Sequence, residues 1–214
     1  VAAVALTAVL LLTRSDQPPV VPALADTVTD IAVGNGSSCV IKKREVYCWG
    51  DNTNGQLGDG TTAAQSTPQK VPGLTDVTDI DMNQSTVCAV AESKAYCWGS
   101  LDKVKTPTEM PGLENVTNVA TGPSSSCAIA DSFLYCWGYN TYGQLGDGTT
   151  SKRTSPTKLE NLYSVTDISM SSEATCAIAS TVAYCWGSND GGQVGDGTEE
   201  NRLAPTEVKD FRFP

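Results

Sequence analysis

Apolar, β-branched residues open four stretches of the chain: Val28-Thr-Asp-Ile31, Val77-Thr-Asp-Ile80, Val116-Thr-Asn-Val119 and Val165-Thr-Asp-Ile168. A polar link follows each run, then a short segment bounded by two cysteines, then glycine-rich sequence and a proline-containing run. Short β-branched runs separated by turn residues predict strands. The opening residues 28, 77, 116 and 165 lie 49, 39 and 49 apart. A period of forty to fifty residues, with three or four strands per unit, predicts propeller blades or a solenoid. The units are expected at 27–74, 75–113, 114–162 and 163–214.

Cysteine spacing sharpens the prediction within each unit. The pairs are Cys39/Cys48, Cys88/Cys97, Cys127/Cys136 and Cys176/Cys185, and they use all eight cysteines of the chain. The second member always stands in Tyr-Cys-Trp-Gly, which also accounts for all four tryptophans, Trp49, Trp98, Trp137 and Trp186. A hairpin with a two-residue turn at Lys43-Arg44 places Cys39 opposite Cys48, on a non-hydrogen-bonded pair, where opposed strands approach within disulfide reach. The same count predicts turns at Glu92-Ser93, Asp131-Ser132 and Ser180-Thr181, none of them the Asn-Gly type favoured in tight hairpins. Structural zinc uses closer cysteines and often histidine, which this chain lacks, so disulfides are expected and no metal. Disulfides persist in an oxidising place, which points to an extracellular or cell-surface location.

The glycine loops read Gly55-Gln56-Leu-Gly58-Asp-Gly60, Gly143-Gln144-Leu-Gly146-Asp-Gly148 and Gly192-Gln193-Val-Gly195-Asp-Gly197. Their glycines are expected to supply positive φ in tight turns, with Gln and Asp capping backbone amides. They match neither an EF-hand nor a calcium β-roll repeat, and no Lys-Ser/Thr follows to make a phosphate cradle. The closing runs are Thr67-Pro-Gln-Lys-Val71, Thr106-Pro-Thr-Glu-Met110, Ser155-Pro-Thr-Lys-Leu159 and Ala204-Pro-Thr-Glu-Val208; the short second unit lacks the glycine loop.

Trp49-Gly50-Asp-Asn-Thr-Asn-Gly55-Gln-Leu-Gly-Asp-Gly60 and Trp137-Gly138-Tyr-Asn-Thr-Tyr-Gly143-Gln-Leu-Gly-Asp-Gly148 resemble the signature of the regulator-of-chromosome-condensation repeat family. A third copy runs from Trp186 to Gly197. The resemblance implies an all-β propeller, commonly of about seven blades, whose members mostly bind other proteins through faces and loops. The cysteine-bearing form resembles an extracellular bacterial branch of the family. Four repeats here leave open an arc of a larger ring, a ring closed by partner chains, or four blades alone. Ser38, Val87, Ser126 and Thr175 stand where many members carry histidine. Nothing resembles the surface loops of nucleotide-exchange members, so that activity is not expected.

Residues 1–14 read as a hydrophobic helix, and residues 15–26 as a Pro-rich linker. Pro18 and Pro19 end the helix. Thirteen residues span about 20 Å, short of the ~30 Å hydrocarbon core. Ala23-Leu-Ala25 resembles a signal cleavage site, but a charged stretch with three prolines intervenes. A retained helix is expected instead, either inserted in a membrane as an anchor or packed in a pilin-like filament core. In the filament case the chain is expected to be a homo-oligomer.

Net charge is −10, from 14 basic and 24 acidic residues, which repels nucleic acid and anionic lipid. Asn35, Asn83 and Asn115 open glycosylation sequons. The chain lacks histidine and has no spare cysteine, and its carboxylates stand singly, so no enzyme and no cofactor are expected. The tryptophans are expected to pack between blades, with a ligand-stacking platform as the alternative. The expected function is a non-catalytic, surface-displayed module meeting a protein partner through loops such as 51–60. The alternative is a filament subunit associating with copies of itself through residues 1–13 and blade edges.

Overall fold

The computed structural model describes residues 27–99 and 104–209, so the expected helix at 1–14 and linker at 15–26 lie outside the described residues. Sixteen strands form four four-stranded antiparallel sheets, each built from consecutive strands in chain order. Blade 1 comprises β1 (Val28–Val33), β2 (Ser37–Lys42), β3 (Glu45–Gly50) and β4 (Gln65–Lys70). Blade 2 comprises β5 (Val77–Asn83), β6 (Thr86–Ala91), β7 (Lys94–Gly99) and β8 (Val104–Glu109). Blade 3 comprises β9 (Val116–Thr121), β10 (Ser125–Ala130), β11 (Phe133–Gly138) and β12 (Arg153–Tyr163). Blade 4 comprises β13 (Val165–Met170), β14 (Ala174–Ala179), β15 (Val182–Gly187) and β16 (Arg202–Glu207).

The cysteine spacing sets the register of the central hairpins. Lys42 opposes Glu45 and Cys39 opposes Cys48, and the other three blades repeat the pairing. All four expected bridges are formed: Cys39–Cys48, Cys88–Cys97, Cys127–Cys136 and Cys176–Cys185, with Cα atoms 4.1–4.2 Å apart. Both turn residues of every hairpin have positive φ, from Lys43 at 54° and Arg44 at 60° to Ser180 at 49° and Thr181 at 68°. This is the twist a two-residue hairpin needs, adopted without Asn-Gly because the strands and cystine enforce it. Pro68, Pro107, Pro156 and Pro205 all lie in the outermost strands, where a missing N–H costs no ladder bond.

One irregularity recurs at the inner strands. The pairing slips at the second residue of each opening run, at Thr29, Thr78, Thr117 and Thr166. Such a bulge re-aims the side chain beside it. The residue it turns is Asp30, Asp79, Asn118 or Asp167.

The cores lie between blades. Cys39, Ile41, Val46 and Cys48 of blade 1 pack with Val77, Ile80, Ala89 and Trp98 of blade 2. Cys88, Val90 and Cys97 meet Val119, Ala128 and Trp137 across the next interface. Cys127, Ile129, Leu134 and Cys136 meet Val165, Ala177 and Trp186 across the third. Each of these blades therefore turns its cystine toward the following blade and receives that blade's tryptophan. The hairpin tips reinforce the order: the amides of Val77, Val116 and Val165 donate to the carbonyls of Arg44, Ser93 and Ser132 of the blade before.

Candidate functional site

Two features could meet a partner: the loop face and the axial cavity. On the loop face, each glycine loop is organised by one buried asparagine. Asn52, Asn140 and Asn189 are 0–1% exposed. Their side-chain oxygens accept the amides of Leu57, Leu145 and Val194 at 2.8–3.0 Å. Their amide nitrogens donate across the loop to the carbonyls of Ala63, Thr149 and Thr198 at 2.9–3.1 Å. Gln56, Gln144 and Gln193 each accept a backbone amide two residues earlier, from Asn54, Tyr142 and Gly191. Arg153 and Arg202 donate to Asp147 and Asp196, both at 2.5 Å. The Thr198 hydroxyl and the Arg202 guanidinium draw the Asp196 carboxyl down to about 2. Conformation is thus fixed inside the loops, and outward-facing side chains stand on rigid supports.

The loops also receive the next blade's tryptophan. Trp98 Nε1 donates to the Gln56 carbonyl at 3.0 Å, and Trp186 Nε1 to the Gln144 carbonyl at 2.9 Å. Trp137 is 2% exposed, yet its indole N–H has no partner among the described residues. The preceding blade is the one without a Gly-Gln-Leu-Gly segment, so the carbonyl that serves the other two is missing. Trp98, Trp137 and Trp186 thus act as inter-blade packing groups, whereas Trp49 of blade 1 is half-buried. The cystines are likewise core groups: both Cys127 and Cys136 of blade 3 are fully buried, so neither sulfur is open to a ligand. Of the sequon asparagines, Asn35 and Asn115 are exposed, and Asn83 is half-buried at the end of β5.

The inner strands line a cavity of about 460 Å³, which includes Asp30, Asp79, Asp81, Asn83, Asn118 and Asp167. Three of these acids tie neighbouring blades together. Asp30 accepts the Ile80 amide at 3.1 Å, Asp79 the Val119 amide at 2.7 Å, and Asp81 the Thr121 amide at 2.6 Å. Sequence reading takes these carboxylates singly, although the shared position of Asp30, Asp79 and Asp167 in the opening runs is a signal that they converge. Burial pushes the Asp79 carboxyl up to about 6, the Val119 amide opposes that, and Asp30, Asp81 and Asp167 add to it.

A raised carboxyl binds its proton more tightly in the folded than in the unfolded chain. Asp79 therefore favours folding most below pH 4, and that contribution is lost as pH rises through about 6. Asp79→Asn keeps an acceptor for Val119 and copies the Asn118 of blade 3. The variant should be more stable than the parent by about 1–3 kcal/mol at pH 7, a gain that vanishes near pH 4. Urea titrations of both proteins at the two pH values measure it, and an equal gain at both would rule out the ionised carboxylate as its source.

The family model for the regulator of chromosome condensation (RCC1) repeat matches residues 45–90, 131–178 and 182–213, and a second model of the same repeat matches 28–56. The E3 ubiquitin-protein ligase HERC2 of Homo sapiens is 51% identical over 47 residues, 21% of this chain and 1% of that protein. Human WBSCR16 superposes with a TM-score of 0.78 at 22% identity, covering 87% of this chain and 54% of its own. Prp20p of Saccharomyces cerevisiae superposes at 0.74 with 21% identity, covering 89% and 52%. The chain thus spans about half the length of these solved structures, and at such identity they show the shared fold alone. With the family model matched over more than half its length, the chain belongs to the RCC1 repeat family, and its four sheets are consecutive blades of that family's β-propeller.

Proposed function

We propose that this protein is a non-catalytic interaction module working outside the cell, which holds a protein partner against the loop face of its blades. The observation carrying this is a pair of exposed tyrosines on the blade 3 loop. Tyr139 is 51% and Tyr142 37% exposed, and Leu203, against Gly143 of the same loop, is 37% exposed. The loop beneath is pinned by Asn140 and Gln144, and Lys152 Nζ lies 4.5 Å above the Tyr139 ring. Tyrosines on a rigid support lose little freedom on binding and make effective anchors. Prp20 has been crystallised bound to Kap60, and Prp20p is described with binding properties to Gsp1p and histones, which supports protein as the class of partner.

The cystine in every blade supports an oxidising compartment. Asn35 and Asn115, both exposed, would be the glycan acceptors there. The loop carboxylates Asp59, Asp147 and Asp196 hold threonines and arginines in place, which fits a structural role better than a catalytic one.

The immobilised protein, incubated with surface proteins released from cells of its source, should retain a partner. Tyr139→Ala/Tyr142→Ala should weaken that retention at least tenfold while leaving the melting curve unchanged. Equal retention by parent and variant would overturn the reading.

A further inference from the structure

The chain holds two Asn-Gly dipeptides, Asn35-Gly36 and Asn54-Gly55. Glycine after asparagine leaves the next backbone nitrogen uncrowded, so that nitrogen can reach the side-chain carbonyl carbon. The fold treats the two differently. Asn54 is exposed, but its side-chain amide donates to Ser85 Oγ at 3.1 Å and its backbone amide to Gln56 Oε1 at 2.9 Å. Gly55 is buried against Lys105, and its amide donates to the Asn52 carbonyl at 2.9 Å. The attacking nitrogen and the group it would attack are both tied down.

Asn35 and Gly36 are both exposed, in the link between β1 and β2. Among the described residues, no acceptor takes the Gly36 amide and no group bonds the Asn35 side chain. This exposure belongs to the position in the blade. Gln84, the counterpart in blade 2, is exposed too, although blades 1 and 3 pack on either side of it.

We infer that Asn35-Gly36 is a modification site, at which Asn35 loses its side-chain amide by intramolecular attack and the loop face changes with age. The Gly36 amide gives its proton to a solvent base, and its nitrogen bonds to the side-chain carbonyl carbon of Asn35. The bond from that carbon to the side-chain nitrogen breaks, and ammonia leaves with a proton from water. Water then opens the five-membered imide at either carbonyl, giving aspartate or isoaspartate. Amide and water become acid and ammonia, with no oxidant or cofactor. A glycan on Asn35 would block the step, because it substitutes the nitrogen that must leave.

The products matter because of what holds this link. The Asn35 backbone amide donates to the Gln84 carbonyl of blade 2 at 3.0 Å, and the Gly36 carbonyl accepts the Asp51 amide at 2.8 Å. Isoaspartate routes the chain through the side-chain carbon, which lengthens the backbone between these two anchors. The tie to blade 2 and the start of the blade 1 glycine loop then no longer fit together. Either product also adds a carboxylate to a chain of net charge −10.

The full chain, made in a host that adds no glycans, is held in mildly alkaline buffer and mapped by peptide mass, with isoaspartate counted by enzymatic methylation. The Asn35 peptide should convert at least tenfold faster than the Asn54 peptide, roughly the factor for two hydrogen bonds that must break first at Asn54-Gly55. In the reduced, denatured chain the two peptides should convert at similar rates, so that the difference reports the fold. Asn35→Gln, which copies Gln84 of blade 2, should leave the melting curve unchanged and remove most of the ammonia released. Equal rates in the folded chain, faster conversion at Asn54, or an Asn35 that converts only after denaturation would each overturn the inference.

Discussion

Reducing the four cystines is expected to unfold the blades. Each bridge joins residues nine apart, and a loop that short contributes somewhat under ~3 kcal/mol through the entropy of the unfolded chain. Together they are worth about 10 kcal/mol, comparable with the whole stability of a typical domain, about 5–15 kcal/mol. Seven of the eight cysteines are 0–7% exposed, so their thiols would remain as buried groups in the inter-blade cores if the fold survived. Guanidinium titrations with and without a phosphine reductant measure the loss, and an unchanged midpoint would show that packing alone suffices. The bonds should also open in order. Cys176 is half-buried, whereas Cys39, Cys88, Cys127 and Cys136 are fully buried. Limited reduction and alkylation should label Cys176 and Cys185 first. Uniform labelling, or Cys127 and Cys136 first, would contradict the burial argument.

Gly138→Ala is expected to cost about 3–5 kcal/mol, far more than an ordinary surface change. Gly138 has φ 103°, and a Cβ there would lie 2.4 Å from the Ser124 carbonyl oxygen and 2.6 Å from the Ser125 Cα. Both are backbone atoms, and the same carbonyl accepts the Tyr139 amide at 2.9 Å, so relief by shifting would break that bond. Strain and lost hydrogen bonding fall together at the point where β11 leaves for its loop. Gly148→Ala is the natural comparison. Gly148 also has positive φ, at 78°, but nothing lies within 4 Å of its added Cβ, so only the left-handed strain of about 1–2 kcal/mol applies. Thermal unfolding of the two variants separates the steric term from the conformational one. Equal losses would mean that the collision is relieved at no cost.

Much of the fold was legible because the repeat is strict and the cysteines fix register. Eight residues between bonded cysteines fit a two-residue hairpin, and proline in each closing run marks an outer strand. The turn chemistry was not legible, since Lys43-Arg44 and Ser180-Thr181 carry no glycine and take positive φ under constraint from their strands. The role of Asn52, Asn140 and Asn189 was visible only as a motif, because a side chain that bonds residues five to eleven positions on needs the folded loop to show its partners. The aspartate ties between blades escaped for a different reason. Asp30 and Ile80, whose amide it accepts, lie 50 residues apart, and only the bulge before each aspartate directs it to the neighbour. That Trp137 finds no partner among the described residues follows from the short second repeat, once the loop of one blade is known to serve the indole of the next. Residues 1–26, which carry the membrane-anchor and filament expectations, lie outside the described residues.

Among the described residues, every sheet is assembled from four strands adjacent in sequence, with none borrowed from a distant part of the chain. Within a blade, pairing contacts are therefore local, the kind that form early because little loop entropy is spent in closing them. A chain emerging amino terminus first can finish one hairpin, oxidise its cysteine pair and add the outer strand before the next repeat arrives. Each newly completed blade then offers its cystine face as a template for its successor. Scrambled cysteine pairing is disfavoured by timing, since the correct partner is nine residues away and the cysteine of the next pair 30 or 40. Duplication or loss of one repeat in the gene would, by the same logic, add or remove a whole blade without rewiring the others.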